Sequence, residues 1–489
     1  MKKIYRIPAF FLLLGIANIF CTLSVPPTAM PTPTPMATPI EMPDGIYYVS
    51  PDGDDANNGT QSKPWRTIQN AANTVVGGGT VFVKEGNYAE RVAIIHSGTA
   101  DLPLRFEAEG RVVTQGFTIA ANYVSIRGFE ITDTPDHVRD GWGIWARSSY
   151  CIIENNYVHD ATRGGILLFV LPGEETQVHD CVVRNNRLYR NAFAGIEVRG
   201  RSHLVEGNEV WGTIQLHPKW LDPPRWADAD GIRFHGAGHV FRKNYIHDIV
   251  YGVPENPKPH IDCFQTFTDG SYHEAASDVI FEQNLCENMQ AQTPLEAGKA
   301  FMIQNANNLI IRNNVLRSYR VLQAIDSNNL QIINNTFTNQ LDLSVRNSPA
   351  MITFTNTLDS LVKNNIFFNP LLHVIYFNDN VSETGADIGH NNVFRSDGRN
   401  VRGTPYPNDL WNVDPLFVNY EQGDFHLQPN SPLIDVGASL AIVSTDYDDD
   451  PRPQGSGYDI GSDEWMSDNS LNPDDFLVII FLKLPPFLQ

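Results

Sequence analysis

The chain has 489 residues, 42% of them hydrophobic, and its 35 basic and 56 acidic side chains give a formal charge of −21. This is enough apolar material for a large core, and the acidic excess argues against nucleic acid as a partner, because phosphate binding needs a basic surface. A polyanionic substrate is admissible only where a metal ion or a local basic patch offsets the repulsion.

The opening MKKIYRIPAFFLLLGIANIFC joins a basic start to an apolar run, the pattern of an export signal, assigned to residues 1–24. Cys21 invites a lipid anchor, although Asn18, Ile19 and Phe20 stand where small residues precede a lipidated Cys. Residues 25–45 are rich in Pro and Thr and read as a stiff, extended linker. The expectation is a secreted or cell-surface protein, monomeric, with no membrane span beyond the signal. Cys151 and Cys181 hold equivalent places in YCIIENN and DCVVRNN. Stacked strands would bring their Cα atoms to ~4.8 Å, within bridging range. The favoured expectation is nevertheless two buried thiols acting as small apolar residues.

Residues 46–119 open with a strand, a Gly/Asn-rich loop and a helix in which Ile68, Ala71, Ala72 and Val75 share one face. Such a helix can cap the first coil of a solenoid. From about Ala120 a repeat takes over, marked by an Asn that closes an apolar strand: Asn156, Asn186, Asn208, Asn244, Asn284, Asn314, Asn335, Asn365 and Asn392. Phe129 takes that place in the first coil. Apolar residues stand on both sides, and an Asn amide at a turn can bond to the same amide one coil away. The pattern predicts an all-β parallel β-helix of about ten coils over 120–405. Drifting gaps between the Asn residues argue against the regular blades of a propeller.

Residues 406–465 read as a C-terminal cap. Its acidic run Asp446–Asp450 lacks the spacing of an EF-hand loop and is expected to be solvated. The 466–489 tail, with FLVIIFL, is too short to cross a bilayer and has no assigned role.

Four strands carry charge: AGIEVRG (194–200), DGIRFHG (230–236), DCFQTF (262–267) and KAFMIQ (299–304). On a common register their outward residues are Glu197 and Arg199, Arg233 and His235, Gln265 and Phe267, Met302 and Gln304. Asp230, Asp262 and Lys299 open three of the strands, so these side chains are expected on one exposed face. The two longest gaps between Asn residues fall on the coils with Asp230 and Asp262. Their extra residues, 212–229 and 250–261, together with 268–278, are expected to wall one side of a groove. They bring His217, Trp220, Trp226, Tyr251, His260, Tyr272 and His273, and aromatic rings suit the apolar faces of sugars. Arg199, Trp220, Trp226, Tyr251 and His260 are the candidate substrate-binding residues.

The YYVSPDGDD…NGT…KPW opening, the Asn-marked coils and the SPLIDVG…DIGSDE ending resemble bacterial secreted right-handed parallel β-helix proteins of the pectate lyase-like superfamily. The enzyme pattern most similar is that of the family 9 polysaccharide lyases. That resemblance implies strand-opening Asp residues that hold calcium and a Lys on a neighbouring coil as base. Asp230 and Asp262 match the Asp positions; the further Asp appears as Gln265, and the Lys position falls near Met302, three residues from Lys299. It implies calcium as cofactor; on this face Glu197, Asp230 and Asp262 are the carboxylates that could supply its oxygen ligands, and Lys299, Arg233 and His235 are the candidate bases. The expected function is calcium-assisted β-elimination on an acidic polysaccharide. Two alternatives stand beside it: glycoside hydrolysis by Asp230 and Asp262 as paired carboxylates, and a non-catalytic glycan-binding or structural solenoid.

Overall fold

The structure, a computed structural model, describes residues 45–466 apart from 172, 221–227, 258, 269–272, 291–297, 319 and 340–349. The export signal, most of the linker and the tail beyond Met466 therefore lie outside the described residues. Short strands stack in parallel, coil upon coil, into a right-handed β-helix with three faces. The first face includes Gly164–Leu168, Phe193–Val198, Ala229–Phe234, Asp262–Thr266, Lys299–Gln304 and Arg320–Ile325. The second includes Val182–Arg184, Leu204–Glu206, Val240–Arg242 and Ser277–Glu282. The third includes Arg187–Tyr189, Glu209–Trp211, Tyr245–Val250 and Leu285–Gln290.

The turn between the second and third faces explains the repeated Asn. The residue before the ladder position takes the left-handed conformation, with φ near 55° at Asn155, Asn185, Lys243, Gln283 and Asn364. Asn pays little for that conformation, which is why NN pairs recur. The ladder Asn itself is buried and bonds up and down the stack. Asn156 donates from both its backbone N–H and its Nδ2 to Asn186 Oδ1, each at 3.0 Å. The chain of amides continues through Asn208, Asn244, Asn284, Asn314, Asn335 and Asn365. An unpaired buried amide costs about 1–3 kcal/mol, so each rung depends on the next. Phe129 starts the ladder by donating its N–H to Asn156 Oδ1. The last rung is Asn391 and not Asn392: Asn365 donates to Asn391 Oδ1, and Asn392 instead donates to the Leu410 and Val413 carbonyls.

Inside, Phe234, Phe264 and Phe301 from the first face meet Phe241 and Phe281 from the second, with Phe264 and Phe301 stacked at 4.9 Å between centroids. The helix Ile68–Thr74, capped by Thr67, buries Ile68, Ala71 and Ala72 over the open N-terminal end as expected. No helix among the described residues is long and apolar enough to cross a membrane.

Two expectations change, and one cysteine pairing is new. Cys151 and Cys181 form a disulfide, Cα atoms 4.6 Å apart, because stacking places them in adjacent coils. Cys263 and Cys286 form a second, Cα atoms 6.3 Å apart, across the interior of one coil. Asp446 is fully buried rather than solvated, accepting the N–H groups of Asp448, Asp450 and Glu464. The segment holding it docks on the flank of the helix, on the turns that carry the ladder. Gln283, Asn313, Asn334 and Asn364, each a left-handed turn residue, donate side-chain amides to the carbonyls of Asp446, Thr445, Asp459 and Ala438.

Candidate functional site

The strand register brings the charged residues of the first face together. Glu197 pairs with Arg233, Arg233 with Gln265, and Gln265 with Met302, so these four form one outward column. Ala194 pairs with Asp230, and Asp262 with Lys299, which pairs in turn with Arg320. The face is less exposed than the alternation suggests. Glu197 and His235 are 1% exposed, and Asp230 and Asp262 are 0% exposed.

Each buried carboxylate is closed by a basic side chain. Arg233 donates from Nε to Asp230 Oδ2 at 2.7 Å and from Nη2 to Asp228 Oδ2 at 2.8 Å. Its guanidinium lies 3.9 Å from the Phe193 ring centroid, a cation–π contact that fixes its plane. Lys299 Nζ donates to Asp262 Oδ1 at 3.3 Å, while Gln265 Nε2 donates to Asp262 Oδ2 at 3.0 Å. Asp230 Oδ1 accepts the Asp262 N–H at 3.0 Å. Arg199 Nε donates to Glu197 Oε1 at 2.6 Å.

The titration behaviour follows from this pairing. Burial pushes the Glu197 carboxyl up, but Arg199, His235, Arg233 and His273 outweigh it and hold the group at about 2. Burial, with Asp228 and Asp262 nearby, raises Asp230 well above the usual carboxylate range in spite of Arg233. His235 is lowered well below its ordinary value, chiefly by burial. Above this buried layer, the partly exposed side chains include Arg199, Lys299, Arg320, Met302, Gln304 and Phe267. A face read as acidic therefore presents cations outward and keeps its carboxylates beneath them.

The three carboxylates expected to hold calcium do not converge. Among the described residues, two groups of three or more metal-type ligands have their donor atoms within 4.8 Å: Glu197 with His235 and His273, and His426 with Asp448 and Asp463. Glu197 thus keeps company with two imidazoles rather than with Asp230 and Asp262. Calcium wants six to eight oxygens, whereas the Asp230 and Asp262 oxygens are already occupied by Arg233, Gln265, Lys299 and a backbone N–H.

Other candidates are placed differently from the sequence reading. Arg233 and His235 are too deeply buried to meet a polymer directly, so as bases they fail on access. Trp220 is 9% exposed and packs on Ala192 and Ile214, with Arg163 over its ring, as loop packing. Tyr251 packs against the core cluster. His260 is well exposed, its Nδ1 3.5 Å from Asp228 Oδ1. Trp226 and Tyr272 lie outside the described residues. The loops also divide. The segments 212–229 and 250–261 enter the first face at the strand starts, and the described part of the first is bound to the second through Leu216 N–H to the Glu255 carbonyl and Asn256 Nδ2 to the Thr213 carbonyl. Residues 268–278 leave at the strand ends, where Glu274 bonds Arg201 at 2.6 Å and His273 meets Arg199. The loops flank both margins of the face instead of walling one. His273, 74 residues from Arg199 in sequence, was noted only as a loop residue; spacing alone does not place it beside Glu197.

Two family descriptions match this chain: "Pel9A-like, right handed beta helix region" over residues 47–250 and "Right handed beta helix region" over 176–402. Among curated proteins, a pectate disaccharide-lyase of Dickeya chrysanthemi is 32% identical over 46% of this chain and 24% of its own length. The pectate lyase PEL9 of Emericella nidulans is 26% identical over 34% of this chain and 47% of its own. The uncharacterized protein YwoF of Bacillus subtilis is 32% identical over 23% of this chain and 28% of its own. The chain thus spans between about a quarter and a half of the length of these relatives. Among solved structures, the complex of XylC with xylose superposes with a TM-score of 0.57 at 15% identity, covering 85% of this chain and 98% of the other. A lacto-N-biosidase from Eubacterium ramulus gives 0.50 at 15% identity, covering 71% and 67%. These two show the shared fold.

Proposed function

From the premise that this chain is a right-handed β-helix protein of the Pel9A-like kind, we propose that it cleaves an acidic, pectate-like polysaccharide by β-elimination outside the cell. The observation that carries this reading is the cationic layer of the first face. On a chain of net charge −21, Arg199, Lys299 and Arg320 stand outward over buried carboxylates, which supplies the local basic patch that a polyanion requires. The similarity to pectate-cleaving relatives supports the same substrate class, and the two disulfides suit an oxidising, extracellular setting.

In β-elimination on a uronate, a cation neutralises the carboxylate so that the C5 proton becomes acidic, and a base removes it while the 4-oxygen leaves. Arg199 and Arg320 are the side chains proposed to bind the carboxylate. Lys299, partly exposed and anchored by Asp262, is the side chain proposed to take the proton. Arg233 acts as a positioning residue, holding Asp228 and Asp230 in place. Calcium enters no step, because the expected carboxylates do not fit it. The hydrolase alternative asks Asp230 and Asp262 to reach a glycosidic oxygen, and their complete burial weighs against it.

The test is incubation with polygalacturonate and a panel of other uronans, reading ultraviolet absorbance of the unsaturated product against reducing ends. Both are expected to rise together, with Lys299→Ala removing both and Arg199→Ala raising KM. Reducing ends without unsaturation would move the assignment to a hydrolase. No cleavage of any uronan would remove the enzyme reading.

A further inference from the structure

We propose that Glu197, His235 and His273 form a binding site for a divalent transition-metal ion of the zinc class. One donor atom from each lies within 4.8 Å of the others. His235 supplies the second, independent observation. Its Nε2 is buried and has no hydrogen-bond partner among the described residues, although the residue is 1% exposed. Its other nitrogen, Nδ1, lies 3.1 Å from the Phe267 carbonyl. A carbonyl can only accept, so Nδ1 carries the proton and Nε2 keeps its lone pair. That is how a metal-binding imidazole is oriented: one nitrogen tied to a backbone carbonyl, the other left to the ion. An orphaned buried acceptor is costly without a ligand.

The donor set selects the ion. Two imidazole nitrogens and one carboxylate oxygen suit zinc and its first-row neighbours, leaving a position open for water or substrate. Calcium prefers an all-oxygen shell. Tetrahedral zinc with bonds of about 2.1 Å holds its ligands about 3.4 Å apart, so from separations within 4.8 Å the site needs to close by at most about 1.4 Å. His273 comes from the loop that leaves the face at its strand ends, and such a loop can supply that movement.

Arg199 marks where the ion would lie. Its Nη2 is 2.5 Å from Glu197 Oε1 and 3.3 Å from His273 Nε2, so one guanidinium nitrogen bridges two of the three ligands. Metal and guanidinium compete for the same oxygen, and binding requires Arg199 to turn toward solvent. The site shares Glu197 and Arg199 with the face proposed to bind polysaccharide, but its test does not depend on cleavage of any substrate.

The experiment is calorimetric titration of the tag-free, chelator-treated full chain with zinc chloride, and separately with calcium chloride. Zinc binding near one equivalent is expected, weakened about tenfold or more in His235→Ala and in His273→Gln, and tightened in Arg199→Gln, with calcium far weaker. His273→Gln alters a loop residue and serves where His235→Ala fails to fold. His426→Ala removes a ligand of the second group and should leave this binding intact. No zinc binding by the wild type would overturn the proposal. So would binding that survives His273→Gln but is lost in His426→Ala.

Discussion

The first face and the C-terminal segment both bury carboxylates, and Glu197 on the face is treated in the opposite way to the acids of the C-terminal segment, while Asp230 beside it is raised as they are. On the face, Glu197 is held at about 2 although burial alone would raise it, because two arginines and two imidazoles surround it. In the C-terminal segment, burial raises Asp446 and Asp459 to about 7 and Asp463 to about 6, with Arg452 and His426 as the opposing groups. The difference lies in the backbone. In the coils Glu197 has Arg233 as its register partner one strand away and Arg199 two residues along its own strand, so cations stand beside it on both sides. The C-terminal segment is largely irregular, and its carboxylates are occupied by the loop's own N–H groups: Asp446 accepts three, and Asp459 accepts those of Asp435 and Trp465. One set of buried acids holds cations out toward solvent, and the other holds a loop in shape.

The largest expected effect breaks the second arrangement at its cation. Arg452 is paired with Glu464 at 2.9 Å, side chains 0% and 1% exposed, and it also donates to the Asp459 and Gly461 carbonyls. Arg452→Met leaves Glu464 buried without its partner, a loss of about 3–5 kcal/mol by precedent for broken buried pairs. Denaturant unfolding is expected to show a lowered midpoint, with the flank undocking first under limited proteolysis. A midpoint unchanged from wild type would mean that the backbone bonds alone hold the segment.

Legibility in the sequence divides along the same line. The Asn ladder was readable because apolar–Asn–apolar recurs in every coil, and the reading slipped only at Asn391 and Asn392. There GHNN puts His390 in the left-handed place that Asn fills in most of the other coils, so the first Asn of the pair becomes the rung. The column Glu197–Arg233–Gln265–Met302 was readable because it needs only strand register. Burial of that column was not, since it depends on which long side chain folds over which carboxylate. The Glu197–His273 approach was missed for a related reason: it is a loop-to-strand contact, and nothing periodic encodes it. The same holds for Cys263 and Cys286, which meet across the interior of one coil.

Two pH experiments sharpen the comparison, with opposite signs. Glu197 titrates at about 2 in the folded chain against an ordinary 4.5. Its contribution, on the order of 3 kcal/mol, is present above pH 4.5 and lost as pH falls toward 2. Glu197→Gln is therefore expected to be less stable than wild type at pH 7, with the gap closing as the solution is acidified. Asp463 behaves the other way. Its folded value of about 6 lies above the ordinary 3.8, so the folded state favours the proton and wild type loses stability as pH rises from about 4 to 6. Asp463→Asn removes that slope, and the balance between variant and wild type should move toward the variant across this window by about 2 kcal/mol. Parallel curves for variant and wild type would show that His426 compensates the charge in full.

The smallest expected effect tests whether the margin of the face belongs to the substrate or to the fold. His260 has a side chain 76% exposed, and its main tie is the contact of Nδ1 with Asp228 Oδ1 at 3.5 Å. An exposed pair of this kind is worth little, so His260→Ala is expected to change stability by less than about 0.5 kcal/mol. Asp228 keeps its bond from Arg233 and the His260 backbone N–H at 3.2 Å, so the buried layer stays in place when the imidazole goes. Any change in polysaccharide cleavage then reports contact with the polymer and not a disturbed fold. A raised KM at unchanged kcat would place His260 on the path of the chain as it crosses the strand starts. Unchanged values of both would confine the binding surface to the interior of the face, where Arg199, Lys299 and Arg320 stand.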